Sequence, residues 1–428
     1  MRRRVIAGMG ANSFGMAITI GIQLVSLPLF LYYWDTATYG SWLILSAIPA
    51  YLSMADAGMV TAAGNKMAMA MGRGDTHEAN RVFQSAQLFM AVVCSAIALL
   101  ALPLALFAPL PGINNADMRT ALAALSLSTL LALVGGLSET VFKATHRYAT
   151  GTMLGNFTRL AEWLGMMLGL ALFGTFTAVA LGGLVCRVAW LAYGSRLAQQ
   201  GGHPLRWGIA AADRKELRGM VAPAASFMAF PLANALSFQG VTLLVATQFG
   251  PSSVALFNTY RTLSRVAVQA TAIFSHALWP EFSRLYGQGD VPRLQKTYRR
   301  AYWLGLVQAM LLSAALYLLA PWLLALWTHG AIAFQPSLML WMLVYAAIGG
   351  SWHVSRVLLM GTNQHTPLAG WSIATGMLTI ALCWSLGATY EINGVALGML
   401  ISELTIALLC IRMAARLFSA PALQTANP

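Results

Sequence analysis

Residues 39–84 read YGSWLILSAIPAYLSMADAGMVTAAGNKMAMAMGRGDTHEANRVFQ. This is an apolar helix interrupted by Pro49 and Asp56, followed by a short loop, Gly72-Arg73-Gly74-Asp75, and a polar approach to the next apolar run. The loop returns 215 positions later as Gly287-Gln288-Gly289-Asp290, with Arg81 falling on Lys296 and Phe83 on Tyr298. At an offset of 216, Gln23-Leu24-Val25-Ser26-Leu27 falls on Gln239-Gly240-Val241-Thr242-Leu243. A lone GxGD is ordinary glycine turn chemistry. Two copies at constant spacing, backed by a second matched segment, make an internal repeat.

Composition says what is being repeated. The 428 residues are 58% hydrophobic and only 9% charged, against about 25% charged in soluble domains. Apolar runs of roughly 20 residues, enough to cross a hydrocarbon core, recur without a soluble domain between them. They fall at 10–32, 39–65, 82–107, 118–142, 150–173, 176–197, 219–248, 252–279, 299–327, 336–361, 367–388 and 392–415. The expected fold is therefore an all-α polytopic membrane protein of about twelve transmembrane helices in two six-helix lobes, near 1–210 and 211–428. Six is even, so both lobes enter the membrane in the same sense, an arrangement common in secondary transporters.

The net charge of +13 would suggest nucleic acid in a soluble protein. Here the basic residues gather in the even-numbered connections (Lys66, Arg73, Arg81; Lys143, Arg147; Arg196 to Arg218; Arg284 to Arg300) and after the last helix (Arg412, Arg416). The positive-inside rule then puts both termini in the cytoplasm, and the charge becomes orientation signal with affinity for anionic membrane lipids, not for nucleic acid. The N-terminal MRRRVIAG run continues apolar to about Tyr32 without a cleavage pattern and reads as an uncleaved first helix. Cys94, Cys186, Cys383 and Cys410 all lie in apolar helices, as packing residues.

A charge at mid-bilayer costs at least about 2.5–3.5 kcal/mol and marks a functional candidate. The candidates are Asp56, Arg159, Glu162, Arg187, Arg261, Arg265 and Glu403, with Arg356 close enough to a helix end to snorkel. Arg159 and Glu162, three apart, are placed to neutralise each other; Arg187 and Glu403, in the last helices of the two halves, are a second candidate pair. Arg261 and Arg265, four apart with no acid within a turn, either receive an anion such as a diphosphate or bridge to Asp56 or Glu403. Asp56 is either a structural acid at a helix break before Gly58, a cation or proton site, or a gate. Pro49 and Pro231 lie mid-helix, where each removes a backbone bond. His276, His353 and His365 have no metal-ligand spacing. No GxxxxGK loop for ATP and no catalytic triad or dyad is present.

The Tyr39-Gly40-x-Trp42 start of the second helix, the Asp56-Ala57-Gly58 step within it and the Arg73-Gly74-Asp75 loop after it resemble the Wzx-like polysaccharide (O-antigen or exopolysaccharide) flippases of the multidrug/oligosaccharidyl-lipid/polysaccharide exporter superfamily. The motif-level likeness covers residues 10–90 and the topological likeness the whole chain. What the resemblance implies is a V-shaped pair of lobes around a central cavity lined mainly by the first, second, seventh and eighth helices. An undecaprenyl-diphosphate-linked oligosaccharide would cross from the cytoplasmic to the periplasmic leaflet of the bacterial inner membrane by alternating access. No cofactor is implied beyond a coupling ion, H+ or Na+, or the membrane potential. The expected partners are the lipid-linked substrate, membrane lipids and polysaccharide assembly proteins.

On the same resemblance, Arg261 and Arg265 would hold the diphosphate head and Asp56 would couple, gate or shape its helix. The alternative is a cation-coupled multidrug exporter. That branch often has an acid in its first helix, and none lies between Ser13 and Tyr33. The superfamily's peptidoglycan-precursor flippases usually carry extra helices. A membrane glycosyltransferase or polymerase would need more chemistry outside the membrane than these short outer loops hold.

Overall fold

The computed structural model describes residues 2–56, 58–109, 112, 113, 115–145, 147–200, 205–362, 364 and 366–419. Among them the secondary structure is helical throughout, without a strand. The first helices are α1 (Arg2–Tyr33), α2 (Thr36–Leu52), α3 (Met59–Gly72), α4 (Thr76–Phe107), α5 (Ala116–Ala144), α6 (Tyr148–Phe173) and α7 (Phe176–Gln199). Then come α8 (Arg214–Ala235), a π turn (Leu236–Gly240), α9 (Val241–Phe249), α10 (Pro251–Ala277), α11 (Trp279–Gly287), α12 (Val291–Trp327), α13 (Pro336–Gly361) and α14 (Thr366–Ser419).

Seven of these helices are long and apolar enough to span a membrane. The difference from the twelve expected runs has structural causes. The second expected span is divided into α2 and α3, and the seventh into α8 and α9 by the π turn; the fifth and eighth are the single helices α6 and α10, which are not among the seven, each carrying two charged residues, Arg159 and Glu162 in one and Arg261 and Arg265 in the other. The last two are merged in α14, which folds back where Tyr390 and Glu391 leave helical geometry.

Side-chain caps set several helix starts. Asp35 accepts from the Thr38 N–H at 2.7 Å, and hydrogen bonding to the Thr38 side chain, then to its N–H, holds the carboxyl below the usual carboxylate range. Asn115 accepts from Met118 N–H at 2.8 Å, and Thr175 Oγ from Ala178 N–H at 3.2 Å. Each satisfies an orphan donor of the first turn.

The repeated loop has one geometry in both places. Gly74 and Gly289 take positive φ, +77° and +70°, a conformation open to glycine at little cost. Asp75 and Asp290 then cap α4 and α12, accepting from Glu78 N–H at 2.8 Å and Arg293 N–H at 3.1 Å. The backbone bonds correspond pair by pair, Asp75 to Ala70 and Asp290 to Leu285, Gly74 to Met71 and Gly289 to Tyr286.

The chain divides into two compact units, Met1–Pro231 and Leu232–Pro428; the lobe boundary expected near 210 lies in the connection before α8, most of which groups with the first unit. Within the first unit α1 packs on α6, α2 and α3 on α5, α3 on α4, α4 on α5, and α7 on both α5 and α6. Within the second, α9 packs on α14, α10 on α12 and α13, α12 on α13, and α13 on α14. The same neighbours recur in the same order.

The first unit's core joins Met59, Ala63 and Met67 of α3 to Val82, Phe83 and Met90 of α4 and to Leu137, Val141 and Phe142 of α5. Its polar lid is the connection from 205 to 213. Gln84 accepts from Ala211 N–H at 2.6 Å, and Ser85 exchanges hydrogen bonds with Asp213 at 2.8 and 3.2 Å. Gln87 accepts from Gly208 N–H at 3.0 Å.

Tyr39 and Trp42, which open the motif, are packing residues. They join Phe30, Trp34 and Phe176 in an aromatic cluster with centroids 5.0–6.5 Å apart, fastened by Trp34 Nε1 donating to Gly174 O at 2.6 Å. The four cysteines are free, three buried and Cys186 partly so, as expected of packing residues.

Candidate functional site

The two arginines of α10 have different surroundings. Arg261 is 1% exposed. Its Nη1 donates to Phe238 O at 2.9 Å and its Nη2 to Thr242 Oγ1 at 2.7 Å and to Asn258 Oδ1. The guanidinium lies 3.6 Å from the Phe238 ring centroid, a stacked cation–π geometry. Phe238 is in the middle of the π turn, where widening of the helix leaves its carbonyl open to a side-chain donor. Arg261 therefore clamps a helix distortion and has little capacity left for a ligand; only its Nε is buried without a partner.

Arg265, one turn on, is only half-buried. Its guanidinium lies 4.9 Å from the centroid of the same ring. No acid lies within ion-pair distance of either arginine among the described residues. The expectation of two equivalent guanidiniums on one face is thus corrected: Arg261 is anchored and Arg265 is the free cation.

The pairs expected from sequence spacing are also redrawn. Glu162 pairs with Arg187 of α7, not with Arg159 three residues before it. Ser128 of α5 completes that cluster, donating to Glu162 Oε1 at 3.1 Å while its carbonyl accepts from Arg187 Nη1 at 3.1 Å. Arg159 reaches to α1 and donates to Thr19 Oγ1 at 2.7 Å. Glu403 accepts from Trp352 Nε1 at 2.8 Å, and Arg356 is within electrostatic range of it. Arg187 and Glu403 accordingly each have a partner inside their own unit.

Arg159, Glu162 and Arg187 open onto a cavity of about 170 Å³ in the first unit, lined also by Ser138, Glu139 and Trp190 among others. Glu139 also lines a second cavity of about 190 Å³, with Thr61, Lys143, Tyr148 and Thr152. Sequence reasoning missed Glu139 because it stands near the end of a predicted span. The signal available was the polar triplet Ser138-Glu139-Thr140 inside an apolar helix, with Gly155 facing it so closely that a Cβ there would meet its carboxylate at 2.5 Å.

Asp56 lies in the turn between α2 and α3. Its Oδ1 accepts from Gly58 N–H at 3.2 Å and its carbonyl from Met59 N–H at 2.7 Å, with Gly58 at φ +76°. The acid shapes the break. Its repeat counterpart, Thr271, is buried in unbroken helix α10, and α10 gives way to α11 at Leu278 instead. Ala57, His365 and the side chain of His276 lie outside the described residues; no metal-ligating cluster occurs among those described.

A family model described as polysaccharide biosynthesis protein matches residues 47–330. Among solved structures, an inward-facing multidrug resistance MATE family transporter of the MOP superfamily is similar over 98% of this chain and 100% of that one, at 13% identity and TM-score 0.80. Its outward-facing counterpart gives 12% identity and TM-score 0.66, over 98% and 97%. A MOP superfamily transporter from Pyrococcus furiosus, described as having a binding pocket of reverse polarity that suggests a different function, gives 13% identity and TM-score 0.70, over 99% and 96%. These likenesses show the fold. No curated protein matches the sequence.

Proposed function

Because the chain belongs to the polysaccharide biosynthesis protein family, we propose that this multi-pass membrane protein is a flippase for an undecaprenyl-diphosphate-linked oligosaccharide. It would move that lipid from the cytoplasmic to the periplasmic leaflet of a bacterial inner membrane by alternating access, with both termini in the cytoplasm. The observation that carries this reading is Arg265, a half-buried guanidinium with no acid within ion-pair distance among the described residues, on a helix that we expect to cross the membrane. A charge held there with no counter-charge costs several kcal/mol, which an anionic head group would offset. Guanidinium forks match diphosphate oxygens in geometry as well as charge.

Arg261 supports the same head-group site indirectly. It holds the Phe238 ring against which Arg265 rests. Transport by a secondary mechanism also needs an energy input, from H+, Na+ or the membrane potential. Asp56 at the α2–α3 break and Glu139 in the first unit's cavities are the acids we place in that role.

A multidrug exporter shares the fold, and the fold alone does not set pocket polarity, as the description of the Pyrococcus furiosus transporter illustrates. The family match and the basic face favour the lipid-linked sugar. In a deletion strain, Arg265→Gln should lower surface polysaccharide at least tenfold with the membrane-inserted amount unchanged, and Arg265→Lys should recover part of it. Full export by Arg265→Gln would remove the head-group role. Drug sensitivity with normal surface polysaccharide on deletion would favour the exporter.

A further inference from the structure

The repeat has two copies of the loop-to-helix connection, and their charges are handled differently. In the first unit, Arg73 pairs with Glu78 at 2.6 Å, while Lys66 and Arg81 share Glu216 at 2.6 and 3.7 Å. The face of α4 beyond them, Gln84 and Ser85, is covered by the 205–213 connection. In the second unit, the position of Glu78 is Arg293, that of Arg81 is Lys296, and those of Gln84 and Ser85 are Arg299 and Arg300. None of these four cations has an acid within ion-pair distance among the described residues, and all four are exposed. Residues 420–428 contribute no Asp or Glu to neutralise them.

Along α12 the exposed side changes character within one turn. Arg293, Lys296 and Arg300 stand at helical spacing, and the same side continues as Trp303, Leu304 and Val307, with Trp303 56% exposed. The opposite side is buried at Leu294, Tyr298, Ala301 and Gly305. A basic stretch passing through a tryptophan into aliphatic residues is the order of chemistries met on going from aqueous head groups into acyl chains. At that crossing Arg299, Arg300, Trp303, Leu304 and Val307 line a groove of about 550 Å³.

We infer that this groove is a binding site for an anionic phospholipid of the adjoining leaflet. Its phosphate lies against Arg299 and Arg300 and its acyl chain against Trp303, Leu304 and Val307. Orientation signalling alone accounts for basic residues beside a span. It does not account for their standing unpaired and exposed among the described residues of one repeat copy while Lys66, Arg73 and Arg81 are paired in the other, nor for the groove between the arginines and the tryptophan. The site is separate from Arg265 and does not depend on the sugar that the chain exports.

The test is lipid titration of the purified full chain in detergent, with bound lipids counted by native mass spectrometry and POPG and POPC as probes. The wild type should bind POPG in preference to POPC. Arg299→Gln/Arg300→Gln should bind POPG about twenty-fivefold more weakly, taking about fivefold for each basic residue near a lipid surface. Arg73→Gln, whose cation is already satisfied by Glu78, should bind it as the wild type does. If the double variant does not accumulate, Arg300→Gln alone carries the test at about fivefold. Unchanged POPG binding in the arginine variants, or an equal loss in Arg73→Gln, would overturn the assignment.

Discussion

Glu162 shows how far spacing along one helix can predict a partner. An i,i+3 pair such as Arg159 and Glu162 contributes only about 0.2–0.5 kcal/mol. The cross-helix alternative gives Glu162 both the Arg187 guanidinium and the Ser128 hydroxyl, while Ser128 O takes a second Arg187 N–H. The richer network wins, and nothing in the linear sequence places α5 and α7 beside Glu162. With side chains 18% and 17% exposed, removing one partner strands the other. Glu162→Gln should therefore cost about 2–3 kcal/mol, somewhat less than the 3–5 kcal/mol of a fully buried pair. Glu162→Leu/Arg187→Met should be more stable than either single substitution. Thermal unfolding in detergent reads the comparison, and equal destabilisation of the double variant would show that the pair is not coupled. Arg261 makes the same point at another position: its depth was legible in the sequence, but the Phe238 carbonyl that claims it depends on a π turn that no residue pattern announced.

Among the elements, most helix positions were readable because they rest on a local rule, apolar run length. Close helix approach was legible only in hindsight. In the α6–α7 hairpin, a Cβ on Gly165 or Gly169 would run into the backbone carbonyls of Gly182 and Ala178. In α14, Gly394 lies against Leu386 O, and a Cβ on Gly398 would stand 2.7 Å from Cys383 N. Gly182 and Gly398 are 216 apart, so the last hairpin of each half packs through glycine at the same repeat position. Small residues let membrane helices approach until dispersion and backbone contacts dominate. Gly398→Leu should force the arms of α14 apart, costing about 3 kcal/mol or more where the obstacle is backbone, at the upper end of overpacking. Gly370→Leu, with open space around it, should be nearly neutral. The melting temperatures of the two variants, measured side by side, check this; a neutral Gly398→Leu would mean the arms are not held by that contact.

For the whole molecule, the repeat makes a prediction about sidedness that neither copy makes alone. The Gly74 and Gly289 turns have one backbone geometry, and each follows the second span of its half, so an even number of crossings separates them and they must share a side. The connections around Gly112 and His329 follow the third span of each half and must share the other. On the positive-inside rule the orientation we propose has the first side in the cytoplasm, since Lys66, Arg73, Arg81, Arg293, Lys296, Arg299 and Arg300 all flank those turns, whereas the far side offers little beyond Arg119. In a chain with its native cysteines replaced, His329→Cys should react with a membrane-impermeant maleimide on intact spheroplasts, and Gln288→Cys only after permeabilisation. Arg73→Cys must behave as Gln288→Cys does, whichever way the chain is inserted, because the parallel repeat requires it. Labelling of Gln288→Cys on intact spheroplasts would reverse the orientation and leave the fold standing. Opposite behaviour of Arg73→Cys and Gln288→Cys would break the parallel repeat itself, and with it the reading that α10, and Arg265 on it, stands in the second unit where α2 and α3 stand in the first.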